Sequence, residues 1–263
     1  MITPVFNSNQ YPNKIYSLIP KQKVVFGINP AYEKLSKFNV GASNYFRRSP
    51  YYGCQDIAFV DVIKAIQYIF SKVSKPKILI TGVGKAQEPF SVLTVIKNMH
   101  NDKSLEAVVD LNCVDLQPQI LMNKLDKYAY LDVGVFPKFA EDCFEYIQNP
   151  PYPKTTNYKI KPDILKYLEE VFNNPEKTKW DTKIQDFAAK CPDNMYDLIF
   201  FNNVLPYIFD LKDARITMEN FSRILKSDSL LITDFYEEEY KDVFKVLDKF
   251  KIFAEGIWQK PVS

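Results

Sequence analysis

Short apolar runs alternate along the chain with segments in which apolar residues recur every three or four positions. Continuous runs have the length of buried strands, whereas the three-and-four spacing is typical of helices that pack on one face. The predicted strands are residues 77–81, 109–114, 178–184, 196–201, 229–233 and 251–258. The predicted helices are residues 55–73, 117–127, 163–172, 211–225 and 240–250, a helix that begins near Pro89, and the less regular segment 139–147. This alternation predicts an α/β fold with a doubly wound, mostly parallel sheet and helices on both of its faces.

The first predicted strand opens onto a turn of small residues. The turn contains Gly82 and Gly84, and Pro89 follows it at a position that suits the first turn of a helix. Some twenty residues later the second predicted strand ends on Asp115. A strand, a glycine turn, a helix and a second strand that ends in an acid form the first half of a nucleotide-binding α/β sheet. Such a turn exposes backbone N–H groups to a ligand, and the carboxylate can accept hydrogen bonds from ribose hydroxyls.

This pattern alone does not separate a dinucleotide cofactor from S-adenosyl-L-methionine. The turn lacks the third glycine of the G-x-G-x-x-G fingerprint, which weakens a pyrophosphate site. Lys85 is not followed by Ser or Thr, so the turn is not a P-loop either. An α/β domain that binds no nucleotide here is the remaining alternative.

Composition narrows the class of protein. The chain has 263 residues, 46% of them hydrophobic and 25% charged, as is ordinary for a soluble globular protein. A net charge of +2 gives no reason to expect nucleic acid as a partner, and no apolar run is long enough to insert into a membrane. The four cysteines lie far apart and the single histidine is His100, so we expect no metal site and a reduced, cytoplasmic protein without a signal peptide.

We expect two parts in the chain. Residues 1–40 are an irregular N-terminal arm that is rich in Asn, Pro, Lys and Tyr, and residues 41–263 form the α/β domain. The segment from about 128 to 179 interrupts the strand and helix pattern and is predicted to be an insertion, either facing a substrate or lying idle on the surface. The loops that follow the predicted strands, at 82–88, 115–117, 185–187 and 202–207, are expected at the carboxyl edge of the sheet, where such sheets bind ligands.

Five short segments with distinctive sequences follow one another between about residues 40 and 235. They are Ser-Asn-Tyr-Phe-Arg at 43–47, Ala-Gln-Glu-Pro-Phe-Ser at 86–91, Val-Asp-Leu at 114–116, Val-Gly-Val-Phe at 133–136 and Asp-Leu-Ile-Phe-Phe-Asn-Asn-Val-Leu-Pro-Tyr at 197–207. In this order they resemble Thr-x-Phe-Phe-Arg, Gly-Glu-Glu-Pro-Tyr-Ser, Ser-Asp-Ile, Ser-Gly-Ile-Tyr and Asp-x-Ile-Phe-Cys-Arg-Asn-Val-x-Ile-Tyr of the chemotaxis-receptor glutamate methyltransferases, the CheR-like enzymes. The resemblance implies a Rossmann-like class I methyltransferase fold with S-adenosyl-L-methionine as cofactor.

The resemblance also implies roles for individual residues. The methionine part of the cofactor would lie against Gly82, Gly84 and Glu88, the ribose against Asp115, and the adenine beside Asp186 or Phe187. Asn203 would lie near the sulfonium, with Ser43, Leu116 and Asn202 also in the cofactor site. Arg47 and Tyr207 would be the catalytic residues that face the transferred methyl group and its acceptor. The alternative interpretation makes Asp115 and Asp186 ordinary acids at strand ends, Asn203 a turn cap, Arg47 half of a surface ion pair and Tyr207 a core residue.

Methyl transfer to a carboxylate suits this set of residues. A carboxylate is already ionised at neutral pH and needs no general base, so the protein has only to hold the reacting groups in line. The chain departs from the family at Ala86, Gln87 and Asn202, which stand where the family has Gly, Glu and Arg. It also has the irregular arm in place of a helical domain, and we find no antiparallel subdomain of the kind that the family inserts for receptor docking.

Three functions therefore remain open. The first is methyl transfer to a carboxylate, with a protein glutamate as the first candidate, and the second is methyl transfer to a small molecule or to another protein atom. The third is a non-catalytic scaffold that still binds the cofactor. A nucleic-acid methyltransferase is disfavoured because the chain lacks an Asn/Asp-Pro-Pro-Tyr/Phe motif after the fourth strand. The sequence does not predict the oligomeric state.

Overall fold

The computed structural model describes residues 54–55, 59–84, 86–116, 130–131, 144–146, 158–202, 204–208, 210–233, 235–236 and 240–262. The predicted arm at 1–40 and the predicted helix at 117–127 lie outside these residues. So do three of the predicted site residues, Ser43, Arg47 and Asn203. The division of the chain at residue 40 stays a prediction.

The described residues form twelve strands and seven α-helices. The strands are β1 (Cys54–Gln55), β2 (Lys77–Thr81), β3 (Asp110–Val114), β4 (Tyr130–Leu131), β5 (Phe144–Tyr146), β6 (Tyr158–Ile160), β7 (Thr178–Lys179), β8 (Tyr196–Phe201), β9 (Leu225–Thr233), β10 (Phe235–Tyr236), β11 (Lys251–Ala254) and β12 (Ile257–Gln259). The helices are α1 (Phe59–Lys72), α2 (Gln87–Met99), α3 (Leu105–Val108), α4 (Pro162–Asn173), α5 (Ile184–Lys190), α6 (Leu211–Ile224) and α7 (Lys241–Phe244), with 3₁₀ turns at Leu205–Tyr207 and Lys245–Lys249. None of the helices in this described part combines the length and the apolar character needed to cross a bilayer.

Seven strands build one sheet in the order β11-β12-β9-β8-β2-β3-β7. The pairs among β7, β3, β2, β8 and β9 are all parallel, whereas β12 runs antiparallel to both β9 and β11. The chain builds outward from β2 through β3 to β7 and then returns to place β8 on the other side of β2. The order therefore reverses between β2 and β8, which makes this the switch point where sheets of this class bind ligands. The observed topology confirms the predicted doubly wound, mostly parallel sheet.

Alternate residues of β2 contribute to separate halves of the core. Ile78 and Ile80 pack in a buried cluster with residues of α1, α2 and α4, whereas Leu79 packs in a second cluster with residues of α5 and α6. Because successive strand residues point to opposite faces, the two clusters lie on opposite sides of the sheet. This arrangement confirms the predicted helices on both faces and explains why the central strands are continuously apolar.

The predicted helix over residues 139–147 is wrong where the structure describes it. Phe144, Glu145 and Tyr146 form β5, which pairs antiparallel with β6 through Phe144 with Ile160 and Tyr146 with Tyr158. The two aromatics alternate with a charged residue, and this period of two prevails over the looser helical spacing.

A small antiparallel sheet, β4-β6-β5, lies within the predicted insertion. The sequence analysis found no such sheet, so this expectation is also wrong. Each of its strands is only two or three residues long, which is too short for a periodic pattern to be recognised.

Three further boundaries differ from the prediction. The third strand of the parallel sheet ends at Lys179, because the backbone turns at Asp181, where φ is +49°. The predicted loop at 185–187 lies inside α5, and the predicted last strand at 251–258 is a hairpin that turns at Gly256, where φ is +69°. The predicted helix at 240–250 is divided into α7 and a 3₁₀ segment.

Candidate functional site

The turn after β2 is packed against the segment that follows β8. Gly82 has a φ of +65°, and its N–H donates to the carbonyl oxygen of Val114 at 2.9 Å. A Cβ at this position would lie 2.5 Å from Cγ2 of Val204, which is closer than van der Waals contact allows. Gly82 therefore satisfies two requirements, a left-handed backbone and the close approach of a buried side chain from the neighbouring strand exit.

Gly84 connects this turn to the end of β3. Its φ is +52°, and its N–H donates to Oδ2 of Asp115 at 2.9 Å. A Cβ on Gly84 would meet only the carbonyl oxygen of Gly82, at 3.8 Å, so the space beside it is open. The sequence pattern placed a glycine turn and an acid at this edge, and the structure brings them into direct contact.

Ala86 is the last residue of the turn with a left-handed backbone conformation, directly before α2 begins. Its φ is +58°, its N–H donates to the carbonyl oxygen of Val83 at 2.8 Å, and its side chain is fully buried. Glycine adopts this conformation without a steric penalty, whereas other residues rarely do. An alanine in this conformation costs about 1–2 kcal/mol, so the surrounding contacts must hold the turn in place.

Asp115 is fixed by its backbone as well as by its side chain. Its N–H donates to the carbonyl oxygen of Lys179 at 3.1 Å, and its own carbonyl oxygen accepts from the N–H of Thr182 at 3.2 Å. Only 8% of the residue is exposed, whereas the next residue, Leu116, is 55% exposed. The chain thus places a buried carboxylate and an exposed apolar side chain side by side at the carboxyl end of β3.

Glu88 and Asn202 form a second polar pair across the switch point. Glu88 lies in the first turn of α2, where the helix dipole favours a negative charge, and Asn202 follows β8 directly. The amide nitrogen of Asn202 donates to Oε1 of Glu88. Asn202 is only 7% exposed, and its Oδ1 is buried without a hydrogen-bond partner within the part of the chain that the structure describes.

The two carboxylates give this edge a negative potential. The pKa of the Cys113 thiol, which is buried in β3, is raised chiefly by its burial and further by the charges of Asp115 and Glu88. Both carboxylates therefore act on the same small region behind the turn. The negative charges of Asp115 and Glu88 attract a ligand group that carries positive charge.

The remaining predicted residues are spread along the same edge. Tyr207 lies in the 3₁₀ turn after β8 and is 58% exposed, so it is not a core residue. Asp186 is exposed in the first turn of α5, and Phe187 is half-buried against the core cluster beneath that helix. These positions follow β8 and β7, so they flank the glycine turn and Asp115 on either side. Their contacts with a ligand stay predictions.

Two residues that shape the site were missed by the sequence analysis. Val204 constrains the turn at Gly82, and Thr182 holds the backbone of Asp115. Neither has a sequence signal, because both contacts depend on how far β8 and β7 extend beside β2 and β3.

Comparisons with known proteins give matches of structure only. No protein-family model matches the chain, and no curated protein matches it in sequence. A TehB-like SAM-dependent methyltransferase from Corynebacterium glutamicum is 12% identical over 88% of this chain and 100% of that chain, with a TM-score of 0.39. The N-methyltransferase NodS from Bradyrhizobium japonicum is 11% identical over 75% of this chain and 93% of that chain, with a TM-score of 0.38.

The YcgJ protein from Bacillus subtilis is 11% identical over 65% of this chain, with a TM-score of 0.34. The chain spans only 47% of the length of that protein. The observed strand order, rather than these matches of low identity, establishes the fold.

Proposed function

We propose that this chain is an S-adenosyl-L-methionine-dependent methyltransferase. The observation that carries the proposal is the contact between the N–H of Gly84 and the carboxylate of Asp115 at the switch point of the sheet. It joins a glycine turn that leaves open space to an acid at the tip of the next strand, which is the arrangement that holds a nucleoside in sheets of this class. The missing third glycine disfavours a dinucleotide, because that residue allows the close packing of helix and strand around a pyrophosphate.

The residues at this edge suit the parts of S-adenosyl-L-methionine. Asp115 would accept hydrogen bonds from the ribose hydroxyls, and the turn at Gly82 and Gly84 would lie along the methionine part. Asp186 and Phe187, at the start of α5, would border the adenine, and Asn203 would lie near the sulfonium. The cofactor supplies an electrophilic methyl group, and the buried carboxylate of Asp115 and the half-buried carboxylate of Glu88 favour the positive charge of the cofactor.

For the acceptor we propose a carboxylate, with a protein glutamate first, as in the CheR-like enzymes. Tyr207 supports this proposal because its exposed side chain can contact an incoming group from solvent. Arg47 would hold the acceptor carboxylate through two parallel hydrogen bonds. These residues would orient an acceptor that is already ionised, so that no general base is required.

The acceptor is tested by incubating the protein with S-adenosyl-L-methionine that carries a labelled methyl group, together with protein and metabolite fractions of a cell extract. We expect label in protein that is released in mild base, because carboxyl methyl esters hydrolyse readily. Label that survives mild base would transfer the proposal to another protein atom or, if it is found in metabolites, to a small molecule. Cofactor binding without transfer to any fraction would favour a scaffold and contradict catalysis.

A further inference from the structure

The amide of Asn202 is satisfied at one end only. Its nitrogen donates to Glu88, whereas its oxygen is buried and accepts no hydrogen bond from any described residue. A buried acceptor without a donor is unfavourable in a protein interior, and the residue is only 7% exposed. In contrast, Asn112, a buried asparagine of β3, uses both ends of its amide, donating to Asp110 at 3.2 Å and accepting from Tyr196 at 3.3 Å.

The orientation of the Asn202 amide follows from the chemistry of its partner. An ionised carboxylate can only accept hydrogen bonds, so the NH₂ group must face Glu88. The amide oxygen is then turned away from Glu88. The reversed amide would place two acceptor oxygens against each other and is excluded.

A ligand group that contacts Oδ1 of Asn202 must therefore donate a hydrogen bond, and the neighbouring carboxylate of Glu88 favours a donor with positive charge. In the family that the chain resembles, the corresponding residue is Arg, which has no acceptor atom. Asn202 thus gives this chain an acceptor where the family has a donor. Among the described residues, Oδ1 of Asn202 is therefore an unpartnered acceptor beside the Glu88 carboxylate, at the strand end next to the glycine turn.

We infer that Oδ1 of Asn202 accepts a hydrogen bond from the α-ammonium group of the cofactor's methionine part. This inference rests on the proposed function, because it assigns one residue to one atom of that cofactor. Asn202 then acts as a specificity-determining residue that distinguishes ligands with an ammonium group from ligands without one. Its amide nitrogen has a positioning role, since it orients the Glu88 carboxylate beside the same group.

Calorimetric titration with a matched pair of ligands tests the inference. The first ligand is S-adenosylhomocysteine, and the second is 5′-(3-carboxypropylthio)-5′-deoxyadenosine, which differs from it only by lacking the ammonium group. We expect Asn202→Leu to weaken the binding of S-adenosylhomocysteine by about 10- to 100-fold, the effect of losing a hydrogen bond to a charged group. The same substitution should leave the affinity for the second ligand nearly unchanged.

Two further variants serve as controls. Asn202→Asp brings two carboxyl groups into contact, so that they share one proton, which takes the place of the amide N–H between them. The second oxygen of the aspartate remains an acceptor, and the variant should keep the preference for the ligand with the ammonium group. Asn112→Leu removes the buried asparagine whose amide is satisfied within the protein, and it should leave that preference unchanged. If Asn202→Leu does not fold, Asn202→Asp decides, because its loss of the preference would contradict an acceptor role for this position.

Equal weakening of both ligands by Asn202→Leu would show a merely structural role and overturn the inference, as would no weakening of either. A wild-type protein that binds neither ligand would overturn the proposed function itself. That result is distinct, because the first two outcomes require that the wild type binds.

Discussion

The substitution Gly82→Ala tests the packing of the turn on which the candidate site depends. The φ of +65° costs an alanine about 1–2 kcal/mol. The contact of 2.5 Å between a Cβ and Cγ2 of Val204 adds about 1–3 kcal/mol for overpacking. The alanine also lowers the conformational entropy of the unfolded chain, which stabilises the folded protein by about 0.4–1 kcal/mol. We therefore expect the free energy of unfolding to fall by about 1–5 kcal/mol, most of it from the collision.

Gly84→Ala is the matched control, since it shares the left-handed backbone but not the collision. A Cβ at Gly84 would meet only a carbonyl oxygen at 3.8 Å, so we expect a loss of about 0–1.5 kcal/mol. The second substitution Val204→Ala removes the colliding methyl groups and should recover part of the loss in Gly82→Ala. The coupling energy between the two sites should be about 1–3 kcal/mol, as for residues in direct contact.

The assay is urea denaturation, followed by tryptophan fluorescence, of five proteins: the wild type, the three single variants and the double variant. The midpoints are compared when the dependence of the unfolding free energy on urea is the same for all five. Equal losses for the two glycine variants would refute the steric argument and leave only the backbone conformation as a cause. The same conclusion would follow if Val204→Ala destabilised Gly82→Ala by as much as it destabilises the wild type.

Three further substitutions or modifications have expected outcomes. Burial would raise the pKa of Asp228, but hydrogen bonds from Lys72 and Tyr68 outweigh it and hold the pKa below its ordinary value of 3.8. The ionised Asp228 therefore stabilises the folded protein above that pH, and the stabilisation is lost as the pH falls through the lower pKa of the folded state. The difference in urea midpoint between wild type and Asp228→Asn should therefore shrink from about pH 6 to about pH 3, and a constant difference would contradict the role of the charge. Thr81→Val removes the bond from Oγ1 to the carbonyl oxygen of Phe200 at 2.9 Å and should cost about 0.5–1.5 kcal/mol in the same assay, whereas an unchanged midpoint would show that the bond does not hold β2 to β8. Burial raises the pKa of the Cys113 thiol, so a thiol reagent followed by peptide mapping should label it only in urea, and rapid labelling of the folded protein would contradict its burial.

The central strands could be predicted from the sequence because they are buried on both faces. The predicted bounds of 77–81 and 196–201 agree with β2 and β8, since a continuous apolar run has few alternatives in a protein of this size. Helices α1 and α6 were predicted within a few residues for a related reason, since an amphipathic pattern over four turns is hard to mistake.

The short antiparallel sheet could not be predicted, because its stability depends on pairing between distant segments. The strands β4, β5 and β6 contain two or three residues each, and β6 lies 12 residues or more beyond β5. Local preference in such short segments is weak, so the tertiary contacts decide.

The sequence predicted which residues lie at this edge of the sheet, but not which of them form hydrogen bonds with each other. The glycine turn, Glu88, Asp115 and Asn202 were expected at one edge of the sheet, where the structure places them. The bond between Gly84 and Asp115 and the bond between Asn202 and Glu88 depend on side-chain directions and on strand register, which no single segment of sequence contains. The predicted loop at 185–187 proved to be helical, because the backbone turns back at Asp181 and allows α5 to begin at Ile184.

The most direct test of the proposed function is a calorimetric titration of the protein with S-adenosyl-L-methionine, repeated with Asp115→Ala. The control is Asp110→Ala, at the opposite end of the same strand, where the carboxylate contacts Lys77 and Lys177. We expect the wild type and Asp110→Ala to bind alike, and Asp115→Ala to bind at least about tenfold more weakly through the loss of hydrogen bonds to a charged group. No binding by the wild type, or equal binding by all three proteins, would contradict a cofactor site at this edge of the sheet.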